Sequence, residues 1–265
     1  MLLPAIIASM KARIAKTFKI NDLGRARFTL GIQNDYDIEC RALRISQKAY
    51  AESNIMKFGQ ANAKPCLQPL EARVQFMKVD QPQTEVNKAK MSSKPYRSLE
   101  GSLMVVRYLL KTKDVGLTYD GRQGTQLVAY ADEDWAGNRD DRRSVSGIVL
   151  VMCGAPVVWR SSFQKTVALR STDAEYMALR DIVKEVVWVR LLLKDIGSEQ
   201  EGGSVIYEDN QGVMTLEMNT GYQACTKHVH IRYQFIREKV ASGEVELDDV
   251  DIKNQLADYL MKAVV

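Results

Sequence analysis

The stretch STDAEYMALRDIVKEVVWVRLLLKDIG (171–197) constrains the fold of this chain more than any other. Counting by threes and fours from Glu175 gives Leu179, Ile182, Val186, Val189 and Leu193, the apolar stripe of a helix that packs one face on a larger layer. Ser171 or Thr172 reads as its N-cap and Gly197 as its stop. The neighbouring segments supply the layer. QLVAYAD is a near-continuous apolar strand, as in a sheet covered on both faces. SGIVLVMC and PVVWRSS flank Gly154–Ala155 as a hairpin, and SVIYED and EVELDDV are two more strands. NQGVMTLEMN, TKHVHIRYQFIREKVASG and KNQLADYLMKAV read as further helices. The order βββ-α-β-α-α-β-α predicts an α/β fold, a hairpin-containing mixed sheet with helices packed on it.

Residues 1–60 read as mixed α/β, with helix-like ASMKARIAKTF and KAYAESNIMKFG around strand-like RARFTLGIQND and RALRISQ. Residues 61–100 are weakly patterned and carry Pro65, Pro69, Pro82 and Pro95, and GSLMVVRYLLKTK is a short helix. Charge divides the chain. Residues 1–125 hold 21 Lys/Arg against 11 Asp/Glu, whereas residues 126–265 hold 16 against 22. A basic unit that could grip a polyanion therefore precedes a carboxylate-rich one. Cys40, Cys66, Cys153 and Cys225 are scattered without a CxxC, which with two histidines disfavours zinc and fits a reducing compartment. MLLPAIIASM lacks a basic start and is too short to span a bilayer, so neither secretion nor membrane insertion is expected.

Four carboxylates stand where chemistry can occur. Asp132 ends one strand and Asp209 another, and sites in open α/β sheets form beyond strand carboxyl ends. Asp134, two residues on, shares the face of Asp132, and pattern alone leaves the choice between them open. Asp209 could equally cap a following helix, and Asp258 in LADYL could be an exposed helix carboxylate. Thr172-x-x-Glu175 fits a capping box. Yet Glu175 heads the stripe that faces the sheet, where a carboxylate is costly unless paired or metal-bound. Clustered carboxylates are the donors that hard cations such as Mg²⁺ take.

YADEDWAGNRDDRRSVSG, WRSSFQKTVALRSTDAEYMAL, VVWVRLLLKDIG, YEDNQ, TKHVHIRYQFIREK and NQLADYLMK, in this order, resemble the ribonuclease H domain of copia-type (Pseudoviridae) retrotransposon polyproteins. FKINDLGRARFTLGIQ, ISQKAYAESNIMKFG, KPCLQPL and PYRSLEGSLM resemble the end of the reverse transcriptase in the same polyproteins. The resemblance implies a ribonuclease H-like mixed five-stranded sheet with helices on both faces over residues 126–265. Before it would stand a small truncated α/β reverse-transcriptase remnant (palm/thumb and connection) over residues 1–125. It further implies an endoribonuclease that cuts the RNA strand of RNA–DNA hybrids. Asp132, Glu175, Asp209 and Asp258 would hold two Mg²⁺, with Mn²⁺ able to substitute. The family thereby selects Asp132 over Asp134.

The family's polymerase pair lies in a YVDD motif before the segment aligned with residues 1–20. No paired aspartate in residues 1–125 replaces it, since Asp35 and Asp37 belong to a different block, so primer extension by this chain alone is not expected. GSLM runs straight into VVRYLL where the family carries more residues, including a TRPD-like motif. Arg170 and Gln234 replace the usual small residue and the frequent His, and His228 and His230 read as structural. Arg139, Arg142, Arg143 and Lys165 are the expected grip on the hybrid, salt-dependent and largely blind to sequence. The expected setting is intracellular, cytoplasmic or nuclear, with other polyprotein parts as partners. The competing reading is a silent transposon relic or a binding module without turnover.

Overall fold

The computed structural model describes residues 2–22, 24–69, 84–86, 103–210, 212 and 227–261. Most of the expected helix NQGVMTLEMN, most of the weakly patterned stretch 61–100, the side chains of His228 and His230, and Cys225 lie outside what is described.

The N-terminal part holds helices α1 (Leu2–Thr17), α2 (Lys48–Lys57) and α3 (Leu103–Thr112). Beside them stands an antiparallel sheet ordered β1 (Phe28–Thr29), β2 (Ile32–Asp37), β3 (Ala42–Ser46), β4 (Gly116–Asp120). Strand β4, which local pattern does not announce, is made by a long-range pairing with β3. A Cβ on Gly116 would lie 2.6 Å from the Ile45 carbonyl oxygen, so glycine permits that approach.

The second sheet runs β7 (Ala155–Phe163), β6 (Val145–Met152), β5 (Val128–Asp134), β8 (Ser204–Glu208), β9 (Val245–Asp249). β5, β6 and β7 are antiparallel neighbours, whereas β8 and β9 run parallel to β5. This is the five-stranded mixed sheet of the ribonuclease H-like fold. The β6–β7 turn is Cys153–Gly154, one residue earlier than the sequence suggests, because Ala155 already pairs with Met152. Both turn residues have positive φ, 53° and 77°, as the tight hairpin that matches strand twist requires.

Helix α4 (Ser171–Asp195) lays its stripe across β5, β6 and β8. Leu179, Ile182, Val183 and Val186 are fully buried against Ala129, Ala131, Leu150 and Ile206, and α5 (Lys227–Ala241) adds Ile236. Its N-cap is Arg170, extended and without a side-chain cap bond, so neither Ser171 nor Thr172 caps and the capping box is not formed. At the other end Gly197 has φ 82° and the Ser198 N–H donates to the Leu193 carbonyl at 2.8 Å, as anticipated for a glycine stop.

The opposite face is covered by a 3-10 turn at Leu256–Leu260. A Cβ on Gly147, which pairs with Asp132, would meet the Ala257 carbonyl oxygen at 2.7 Å. Over its described part, the expected closing α-helix is this 3-10 turn. Gln255 accounts for the difference. Fully buried, it donates Nε2 to the Ala131 carbonyl at 2.8 Å and accepts from the Ala257 N–H at 3.3 Å. That local bonding competes with a regular helix start. No helix of the described residues is long and apolar enough to cross a membrane.

Leu179→Ala leaves a void between α4 and the sheet and is expected to cost about 3 kcal/mol. Leu191→Ala, on the exposed side of the same helix, should change stability by less than about 0.5 kcal/mol. Chemical denaturation of the two variants beside the parent chain checks the difference.

Candidate metal centre

Strand register brings the first two carboxylates together. Tyr130 of β5 pairs with Tyr207 of the parallel neighbour β8, and their rings stack with centroids 5.2 Å apart. Asp132 and Asp209 each stand two residues further on. The period of two returns them to the face of the tyrosines, at the carboxyl ends of adjacent strands. Glu175 approaches from the start of α4, where the Asn210 side-chain amide donates Nδ2 to its Oε1 at 3.2 Å. Asp132, Glu175 and Asp209 offer one oxygen each, all within 4.8 Å of one another. Asp258, on the 3-10 turn held by Gln255, stands near enough to Asp132 to add to the upward push on its carboxyl. Asp132, Glu175 and Asp209 thus converge, with Asp258 near Asp132. Asp134 remains outside the group of three and only half-buried.

Two carboxylates that sequence reasoning passed over lie behind this group. Glu133 alternates onto the α4 face of β5, and Glu208 is fully buried at the end of β8. Glu133 pushes the Glu175 carboxyl up by repulsion, while Glu208 and Asn210 beside it act in the opposite direction. Alternation within YADED and YED was the signal: every second residue of each strand end belongs to the helix-covered side.

Negative charge this concentrated is held against its own repulsion. Two unit charges 4.8 Å apart, at an effective dielectric of 20, repel by roughly 3 kcal/mol. Burial, joined by Glu175 and Asp209, pushes the Asp132 carboxyl up to about 8. Burial, then the charge of Glu133, pushes Glu175 up to about 8 as well, against the lowering hydrogen bond from Asn210. Glu208 is raised well above the ordinary glutamate range, first by burial and then by Glu175. An all-oxygen, multiply anionic, largely dehydrated set matches what hard divalent cations take as ligands. A bound cation would offset the repulsion that otherwise keeps these groups protonated.

The four cations expected to hold nucleic acid differ in their surroundings. Arg139, Arg142 and Lys165 are exposed. Arg143 is engaged: its Nε donates to Asp141 at 2.7 Å and its guanidinium stacks on Phe163 with 5.5 Å to the ring centroid. Arg142 sits in the left-handed region, φ 57°, in a turn closed by its N–H donating to the Asn138 carbonyl at 2.8 Å.

No protein-family model matches the chain. It is 32% identical over 293 residues to the retrovirus-related Pol polyprotein from transposon TNT 1-94 of Nicotiana tabacum, with 98% of the chain and 22% of that polyprotein covered. It is 37% identical over 158 residues to the corresponding polyprotein from transposon RE2 of Arabidopsis thaliana, with 60% and 11% covered. Among solved structures, LC11-RNase H1, isolated from compost by a metagenomic approach, aligns at 16% identity and TM-score 0.39, covering 51% of the chain and 92% of that protein. The chain spans about a fifth or less of the length of these polyproteins. It is a homologue of the retrovirus-related Pol polyproteins of copia-type transposons.

Proposed function

We propose that residues 126–265 form a ribonuclease H-type endonuclease that cleaves the RNA strand of RNA–DNA hybrids, and that residues 1–125 are a separate, polymerase-derived unit without primer extension of its own. The observation that carries the reading is the convergence of Asp132, Glu175 and Asp209 within 4.8 Å of one another, with Asp258 near Asp132. These four would hold two Mg²⁺, or Mn²⁺ in their place. When bound, such ions stabilise charge on a phosphodiester and lower the pKa of a water molecule.

The protein's own groups have distinct tasks in this scheme. The Tyr130–Tyr207 pairing of neighbouring strands sets side by side the backbones that lead into Asp132 and Asp209. Asn210 orients one Glu175 oxygen. Gln255 anchors the turn that carries Asp258 to β5, so the fourth carboxylate is held against the sheet rather than on a free tail. Arg139, Arg142 and Lys165 would take phosphates flanking the scissile one, with Arg143 behind them stiffened by Asp141. The 2′-hydroxyls in the wide, shallow minor groove distinguish a hybrid from duplex DNA. Further polyprotein segments are the expected partners, in an intracellular setting.

Cleavage of a labelled hybrid in Mg²⁺ by the full chain tests the reading. The RNA strand should be cut and duplex DNA left intact, and Asp209→Asn should lower the rate by about a thousandfold or more. Absence of cleavage by folded parent protein would sink it.

Stability supplies a second test. Asp132 and Glu175 have raised folded-state values of about 8, so between about pH 4 and pH 8 the native state binds more protons than the unfolded chain. Stability contributed by the protonated forms is present at low pH and lost as pH rises through about 8. Without divalent ions, the Tm should be lower at pH 8.5 than at pH 5.5 by about 5 °C or more. Excess Mg²⁺ should restore most of this loss at pH 8.5 and little at pH 5.5, and Asp132→Asn should flatten the profile. A Tm that rises with pH in the metal-free chain would contradict the assignment.

A further inference from the structure

Glu175 differs from Asp132 in what holds it. Asp132 is set in a paired strand, opposite Gly147, whereas Glu175 stands near the start of α4, and a helix can slide along its own axis on a sheet. The cap of α4 makes no side-chain bond, so the helix start is not pinned by a cap of its own. One residue's rise along a helix is about 1.5 Å. Mg²⁺ takes its oxygens at about 2.1 Å in near-ideal octahedral geometry, so a slide of that size would lose a ligand.

Gln164 supplies a tie from outside the helix. It directly follows β7, and alternation turns its side chain to the α4 face, as it does that of Arg160, which pairs with Asp181 and Glu185 of α4. Only 6% exposed, Gln164 donates Nε2 to the Ser146 Oγ at 2.9 Å and to the Ala174 carbonyl at 2.8 Å. Ser146 lies opposite Glu133 in the β5–β6 pairing, and Ala174 directly precedes Glu175. One amide nitrogen thus joins the sheet end that carries Asp132 to the helix residue beside Glu175. The Gln164 backbone N–H donates to the Ser144 carbonyl at 2.9 Å, and the Ser144 Oγ accepts from the Ala136 N–H at 3.1 Å, which ties in the exit of β5.

The orientation of the amide is forced. A carbonyl oxygen can only accept, so the amide nitrogen and not its oxygen must face Ala174. Gln164 Oε1 is buried and makes no hydrogen bond among the described residues. Burying that oxygen unmatched costs stability, so an apolar side chain of the same length would serve packing better. The two donated bonds are what the glutamine contributes.

We propose that Gln164 is a positioning residue of the carboxylate centre: by tying Ala174 to Ser146 it sets where Glu175 stands relative to Asp132 and Asp209, and with that the affinity of the centre for Mg²⁺. Gln164 acts through Glu175 and not on the ion. The assignment rests on the metal-dependent reading of the site.

Mg²⁺ binding to the full chain without nucleic acid, read by isothermal titration calorimetry, tests it. Gln164→Met keeps the side-chain length and loses both donated bonds, and should weaken Mg²⁺ binding about tenfold, as loss of a bond that orients a metal ligand does. Ser146→Ala removes one of the two acceptors and should weaken it about threefold. Val186→Ala is the structural control. It loosens the same helix at its buried stripe, about 16 Å along the axis from Glu175, and should leave Mg²⁺ affinity within about twofold of the parent. Parent-like affinity in folded Gln164→Met, or an equal loss in Val186→Ala, overturns the assignment and leaves the metal centre standing. Where Gln164→Met does not fold, Ser146→Ala decides, and parent-like affinity there overturns it. A parent chain that takes up no Mg²⁺ overturns the metal-dependent reading and this assignment with it.

Discussion

Mutual repulsion of carboxylates at one end of the central strand is the constraint around which this structure is arranged. Asp132, Glu175 and Asp209 come within 4.8 Å of one another, with Glu133 and Glu208 buried behind them. Nothing in their own chemistry holds them there when ionised. The α4–sheet core supplies the force: an apolar stripe on α4, alanines on β5 that allow close approach, and Ile206 and Ile236 completing the packing. Each buried aliphatic side chain contributes about 1.5–3 kcal/mol, so a few of them outweigh a pair repulsion of roughly 3 kcal/mol. The carboxylates therefore stay together at the expense of their charge, which is why Asp132 and Glu175 are raised to about 8.

That balance explains why so much of the site could be read from the chain. Glu175 heads an apolar stripe, and burial of that stripe carries the glutamate with it. Asp132 and Asp209 end strands that pair in parallel, so they share an edge once β5 and β8 are neighbours. Periodicity cannot choose between Asp132 and Asp134, which lie on one face; the choice depends on where α4 and the 3-10 turn cross the sheet end. The resemblance to retroelement ribonucleases H carries that long-range information.

Other features escaped for the same physical reason. Strand β4 has no period of its own and exists because β3 offers it an edge. The helix start was misplaced because Thr172 and Glu175 satisfy a local capping pattern, whereas tertiary contacts turn Glu175 inward towards Asn210 and leave Arg170 at the cap. The 3-10 turn around Asp258 depends on Gln255 reaching the Ala131 carbonyl, a partner distant in sequence. In each instance a local propensity yields to a contact made across the chain.

The two sheets also bear on how the site is framed. Tyr119 on β4 donates its hydroxyl to the Pro156 carbonyl at 2.7 Å, and the Asp120 N–H donates to the Cys153 carbonyl at 2.8 Å. Both acceptors belong to the β6–β7 hairpin. They lie at its turn, whereas the other end of β7 leads to Phe163 and Gln164 and so to the loop that starts α4. The N-terminal sheet thus braces the hairpin at the end away from the carboxylates. The basic N-terminal part is thereby joined to the carboxylate-rich part through the turn of that hairpin, so the two halves of opposite charge meet away from the carboxylates.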